Sequence, residues 1–230
     1  MTCKPFKADL HIHTCHSKDS LAKPKDVLSE AVKKGMSAVA ITDHNEVDGA
    51  FEAAQIAKDE RLPIQVIIGE EVLCEEGDLL VYFLKRRINP GPLNEVLKEV
   101  KRQGAACCAA HPYDFARHAI CLKKLDRATI FGIDAIEAFN ARTPIESMDR
   151  KARLFAESHG KAALAGSDAH HPSEVGTAYV EFSGIRSLDK KSLLSAKRRI
   201  RGSRSLLIVR LYTRYAALRK RLAGNRKAQP

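Results

Sequence analysis

The chain pairs none of its six cysteines (Cys3, Cys15, Cys74, Cys107, Cys108, Cys121) in a CxxC spacing and has no run near the roughly 18 apolar residues that a membrane helix requires. It also lacks low-complexity tracts, a long Gly/Ser linker and any repeat of fixed period. These absences argue against a thiolate zinc ribbon, a disulfide scaffold, a spanning protein and a solenoid. The cysteines read as reduced thiols, with Cys107 and Cys108 acting as small hydrophobes inside an apolar run. The opening MTCKPFK has no apolar leader core, so a cytoplasmic location is the expectation. Acidic residues are missing from 197 to 230, where twelve Lys and Arg occur, while residues 1–196 hold 27 basic and 28 acidic side chains. A nearly neutral body carries a basic tail.

At 230 residues there is enough chain for one α/β barrel with an appendage. Strand-like apolar runs recur at 8–12, 37–42, 64–68, 79–84, 105–110, 133–139, 161–166 and 177–182. Helical patterns lie between many of them, at 24–34, 48–60, 92–103, 145–159 and 189–200. Strand followed by helix predicts a parallel α/β arrangement, with one domain over 1–186 and a helical extension over 187–230. Such folds collect functional side chains in the loops after the strands.

Metal-ligand side chains recur where that rule puts them. The segment ADLHIHTCHSKDS, residues 8–20, carries His11 and His13 on one face of a strand, because strand side chains alternate with period 2. The next strand ends in Asp43 and His44, residues equally suited to a helix cap and a polar loop. Glu70 and Glu71 follow the third run, and their mutual repulsion leaves at most one as a ligand. His111 is delivered by six small apolar residues. Glu137 sits among Ile136, Ala138 and Phe139, where a carboxylate needs a partner or a cation. Asp168 and His170 close the series at i, i+2. One histidine pair would be unremarkable, but His, Asp or Glu at six strand ends points to a multinuclear site of mixed O and N ligands, suited to Zn, Mn or Fe.

The segments DLHIHTCHSKDS, ITDHNEVDG, AAHPYDF and GSDAHH, with GEEV and IEAFN between them, resemble the motifs of the PHP (polymerase and histidinol phosphatase) domain family over residues 7–182. The resemblance implies a distorted (β/α)7 TIM-like barrel that binds two or three divalent metal ions and hydrolyses phosphate esters through a water activated between cations. Carried over by motif, it implies one metal on His11, His13 and Asp168, with Glu71 bridging to a second held by His111 and Glu137. A third would take Asp19, His44 and His170. Many relatives have His in place of Asp19 or Glu137, which favours a harder ion such as Mn here.

The expected activity is hydrolysis of a phosphate monoester or nucleotide, with His170 or Asp43 transferring the proton and Arg142 and Arg117 as substrate contacts. His16, His118, His159 and His171 are expected to be structural or surface residues. A nuclease acting on RNA or DNA strand ends, anchored by the tail, is the alternative; a catalytically silent regulatory barrel is another. In the tail, Ile208, Leu211, Tyr215, Leu218 and Leu222 form a stripe at helical spacing. Three outcomes are open for it: docking on the barrel, contact with an anionic membrane, or service to a nucleic-acid arm. The oligomeric state is not legible.

Overall fold

A computed structural model describes residues 4–205 and 208–227 of the chain. Nine strands form one sheet in the order β7-β6-β5-β4-β3-β2-β1-β8-β9. In chain order these are β1 (Phe6–Ile12), β2 (Ala38–Ile41), β3 (Gln65–Cys74), β4 (Gly77–Tyr82), β5 (Ala106–Ala109), β6 (Ala135–Asn140), β7 (Ala162–Gly166), β8 (Ala178–Phe182) and β9 (Arg198–Gly202). The larger helices are α1 (Pro24–Lys33), α2 (Asp48–Asp59), α3 (Leu93–Gln103), α5 (Glu146–Ser158) and α7 (Ile208–Lys227), with short α4 (Arg127–Gly132) and α6 (Lys190–Ser195).

Seven of the strands curl into a nearly closed barrel. The seam lies where β1 meets the chain after β7: Ile12 bridges Ala169, and the His13 amide donates to the Ala169 carbonyl at 2.8 Å. The first half of β1 pairs instead with β8, antiparallel, through Phe6, Lys7 and Ala8. Strand alternation divides the core: in β2, Ala38 and Ala40 belong to the cluster inside the barrel, while Val39 and Ile41 pack under α1 and α2 against Val27, Leu28, Ala50 and Ala53. Small residues suit the crowded lumen, so Cys108, Ala106 and Ala110 face inward and Cys107 packs on the helix side. Cys15, Cys74, Cys107, Cys108 and Cys121 are free thiols, and Cys3 lies outside the described residues.

Three expectations are corrected. The sheet is mixed, because only two residues separate β3 from β4; that is room for a hairpin but not for a crossover, and β4 runs antiparallel to both β3 and β5. β3 continues to Cys74, so Glu70 and Glu71 are strand residues rather than part of a loop. The helix expected over 189–200 stops at Ser195, after which Arg198–Gly202 becomes an arginine-rich edge strand paired with β8. The sheet therefore runs on past residue 186. No described helix is long and apolar enough to cross a membrane.

Gly166 controls the seam. A Cβ built there would stand 2.3 Å from His11 Cβ and 2.8 Å from His11 N. Gly166→Ala is expected to destabilise the chain by about 2–3 kcal/mol through overpacking of β1 against β7. A denaturant midpoint equal to that of wild type would contradict this.

Candidate metal centre

β1 ends by aiming two imidazoles into the barrel mouth. His11 Nε2 and His13 Nε2 are 3.0 Å apart, and both rings are fully buried. Glu71 Oε2 lies 3.4 and 3.3 Å from these two nitrogens. Asp168 Oδ1 lies 3.7 and 3.4 Å from them. The other oxygen of Glu71 faces His111 Nε2 at 3.1 Å, while Oε2 also meets His44 Nδ1 at the same separation. One carboxylate therefore touches four histidines from the ends of three strands, β1, β2 and β5. On the far side, Asp19 Oδ2 stands 3.5 Å from His44 Nε2 and 3.3 Å from His170 Nε2. The His44 and His170 rings flank that of His13, with centroids 4.4 and 4.3 Å away.

Three groups of ligand atoms come close enough to hold an ion: His11, His13 and Asp168; His13, His44 and His170; and Glu71, Asp78 and His111. The third group contains Asp78, on β4, which sequence reasoning missed; the antiparallel turn-back of β4 brings it beside Glu71. A mixed sheet was not anticipated, so no motif pointed to it. Glu137, expected in that place, is otherwise engaged. Its Oε1 is 2.9 Å from His11 Nδ1, and its Oε2 accepts from the His111 amide and from Asn140 Nδ2. Glu137 thus fixes the ring of His11 so that Nε2 faces the cluster.

Asp43 is a clamp on the loop that follows β1 rather than a group facing the cluster. Its Oδ1 accepts from the Thr14 amide and Ser17 Oγ, and its Oδ2 accepts from Thr14 Oγ1. It is tied to the cluster through Ser17, whose hydroxyl also lies 3.2 Å from His13 Nδ1, and through its own carbonyl, which accepts from the Glu71 amide. Arg117 and Arg142 do stand at the mouth. Arg117 pairs with Asp168 and Asp114. Arg142 Nη1 is 2.8 Å from His170 Nδ1, and its Nη2 donates to Thr213 Oγ1 of α7. A cleft of about 280 Å³ opens between them, bounded by Asp114, Thr213 and Arg214. His16 pairs with Glu52 at 2.7 Å and His171 caps the turn at Pro172.

The electrostatics are those of ligands crowded for cations. Burial opposes charge on His11, yet Asp168, Glu137 and Glu71 hold it protonated well above the usual imidazole range. Burial, reinforced by His170 and His44, pushes His13 down to about 3. Burial likewise opposes ionisation of Glu71 and Asp168, but His11 with His44, and His11 with Arg117, keep them ionised well below the carboxylate range. Asp78 is raised by burial and by the charge of Glu71. Two buried atoms of the cluster's own side chains, Asp19 Oδ1 and His111 Nδ1, have no hydrogen-bond partner among the described residues. Such a set, with lone pairs converging in a buried space, fits divalent cations of the Zn, Mn or Fe class. His111 and Asp168 adopt left-handed backbone (φ 30° and 54°), strain of the kind that concentrates at functional sites.

Residues 9–103 match the PHP domain and residues 148–201 the PHP-associated domain. An uncharacterized protein of Methanocaldococcus jannaschii is 37% identical over 147 residues, covering 59% of this chain and 82% of its own length. Among solved structures, a two-domain Bacteroides vulgatus protein containing a predicted PHP-like metal-dependent phosphoesterase superposes with a TM-score of 0.71 at 20% identity. That match covers 87% of this chain and 65% of the other, so this chain spans about two thirds of it. Endonuclease Q, bound to a 27-mer duplex substrate with an abasic lesion at the active site, gives a TM-score of 0.61 at 16% identity over 83% of this chain and 56% of that one.

Glu70 points away from the cluster. Its Oε2 accepts from the Ile88 amide at 2.8 Å, Oε1 has no partner, and burial pushes its pKa up to about 7. An acid with a raised native pKa favours the folded state at low pH, and stability is lost as pH rises from the unfolded value through 7. Glu70→Gln keeps the acceptor and removes the titration. Relative to wild type it should gain on the order of 2–3 kcal/mol between pH 4.5 and pH 8 in urea denaturation; an identical difference at both pH values would refute the assignment.

Proposed function

The chain belongs to the PHP-domain family, and from that premise we propose that it is a metal-dependent phosphoesterase hydrolysing a phosphate monoester or nucleotide at a trinuclear centre. The observation that carries this reading is the position of Glu71, with one oxygen toward His11, His13 and His44 and the other toward His111. A carboxylate so placed is suited to bridge two cations. In this reading His11, His13, Asp168 and Glu71 hold one metal, Glu71, His111 and Asp78 a second, and Asp19, His44 and His170 a third. Glu137 is then a positioning residue for His11 rather than a ligand.

Cations bound there would lower the pKa of water and neutralise charge developing at phosphorus. The protein's own residues supply the remainder. Arg117 and Arg142 offer guanidinium donors to phosphate oxygens from the cleft above the cluster. Arg142 also restrains the ring of His170, which faces Asp19; with Nδ1 against the guanidinium and Nε2 turned to a cation, His170 would have no proton to give, and the departing alkoxide would take its proton from water. Asp43, through Ser17, orients His13. Buried walls of alanine and leucine under the cluster keep bulk water to the open side, so that charge interactions on the buried side are stronger than in solvent.

A second reading, cleavage of a nucleic acid strand, is favoured by a cleft of about 620 Å³ beside Asp19 that is lined by Lys18, Arg214, Lys220 and Arg221. Four cations next to a ligand suit a polyanion, and endonuclease Q shares the fold. Turnover that declines steeply with salt on oligonucleotides, but not on small esters, would favour this alternative.

Elemental analysis coupled to hydrolysis of a panel of phosphate monoesters, nucleotides and short labelled RNA and DNA tests both readings. Glu71→Ala is expected to lose more than one metal per chain and at least about 10³-fold in kcat/KM, in line with removing a group that stabilises the transition state. Asp78→Asn should lose one metal, whereas Glu137→Gln should keep the full number and weaken affinity by roughly 10–100-fold. Full metal in Asp78→Asn with one metal missing in Glu137→Gln would reverse the two roles, and a metal-loaded wild type inert on every substrate would end the phosphoesterase reading.

A further inference from the structure

The C-terminal helix has two faces, and only one is used. Its inner face is tied to the barrel: Lys220 donates to the carbonyls of Cys15 and Ser17, Arg142 donates to Thr213 and to the Val209 carbonyl, Tyr212 meets His171 edge-on, and Ala216 is fully buried. These contacts fix the rotation of α7. The stripe seen in the sequence therefore does not dock on the barrel; it faces outward. Leu211, Tyr215, Leu218 and Leu222 are 63, 56, 56 and 52% exposed. The side chain of Ile208, the first member of the stripe, lies outside the described residues.

At about 100° per residue, Leu211, Tyr215, Leu218 and Leu222 fall within an arc of roughly 60°. Exposed Arg214 and Arg221 flank that arc on one side and exposed Arg219 on the other. We propose that this outward face is an interfacial surface that seats the protein on an anionic lipid bilayer, the leucines and Tyr215 entering the headgroup boundary and the arginines meeting lipid phosphates. Charge decides between the occupants. Two copies packed stripe to stripe would bring together two tails with twelve basic and no acidic residues each. No carboxylate in the tail could pair across such a seam. A nucleic acid would satisfy the arginines but leave four large apolar side chains without a role. An anionic bilayer satisfies both, since interfacial helices combine an apolar stripe with basic flanks that reach back to the headgroups. The helix lies on the bilayer and does not cross it.

The test is flotation of the full chain with phosphatidylcholine vesicles, with and without phosphatidylglycerol. Binding at least about 10-fold stronger to the anionic vesicles, falling with salt, is expected. Leu211→Glu with Leu218→Glu should abolish it while leaving the far-UV circular dichroism and the hydrolysis of a soluble phosphate ester unchanged; this separates the lipid surface from the metal centre. Arg219→Gln should weaken binding about 5-fold. The chain has no tryptophan, so Leu218→Trp adds a single reporter whose emission should shift to the blue on anionic vesicles alone. Equal binding to neutral and anionic vesicles, unchanged binding of the glutamate variant, or a concentration-dependent dimer abolished by Leu218→Glu would each overturn the proposal.

Discussion

Glu71 holds a buried negative charge against four histidines, and the rest of the molecule is arranged so that this contact can exist. A carboxylate removed from water is stable only when its charge is answered nearby, and here the answer comes from four rings at the ends of three strands. That requirement forces the ends of β1 and β5 and the loop after β2 to converge on one point of β3. It also explains why the ionised state of Glu71 survives complete burial. Protonated His11 and His44 together with Arg117 answer the buried carboxylates, while His13 is held neutral.

Around the converging atoms, a ring of polar residues holds the ligands in orientation. Asp43 clamps Thr14 and Ser17, Ser17 reaches His13, Glu137 holds His11, and Asn140 ties Glu137 to Asp168. Each partner satisfies the ring nitrogen or carboxylate oxygen that does not face the cluster, which keeps the imidazoles from rotating. The barrel seam serves the same end. Gly166 lets β7 approach β1 within the distance that one methyl group would block, so that Asp168, two residues beyond, can share a space with His11 and His13.

The C-terminal helix links this centre to the surface. Arg142 spans from His170 to Thr213, and Lys220 caps two carbonyls of the loop carrying Asp19. Arg214 and Arg221 of the basic tail both line the cleft beside Asp19 and flank an apolar stripe turned to solvent, and Arg219 stands on the stripe's other side.

The alternation of strands and helices and the family were legible in the order of residues, because period-2 burial and strand-end histidines are local patterns. The side chains of His11, His13, Asp19, His44, Glu71, His111, Asp168 and His170, each at or just beyond a strand end in the sequence, lie beside one another in the structure. Tertiary structure alone decided the rest. Asp78 joins the cluster because a two-residue connection reverses β4, and Glu137 turns its oxygens to His11 and the His111 amide because β6 sets it behind the ring rather than beside it. Local patterning likewise located the tail's stripe and left its direction open. Either face of a helix with small residues on one side and leucines on the other can pack inward, and it was the bonds of Lys220 and Arg142 to the site's own loops that turned the leucines outward.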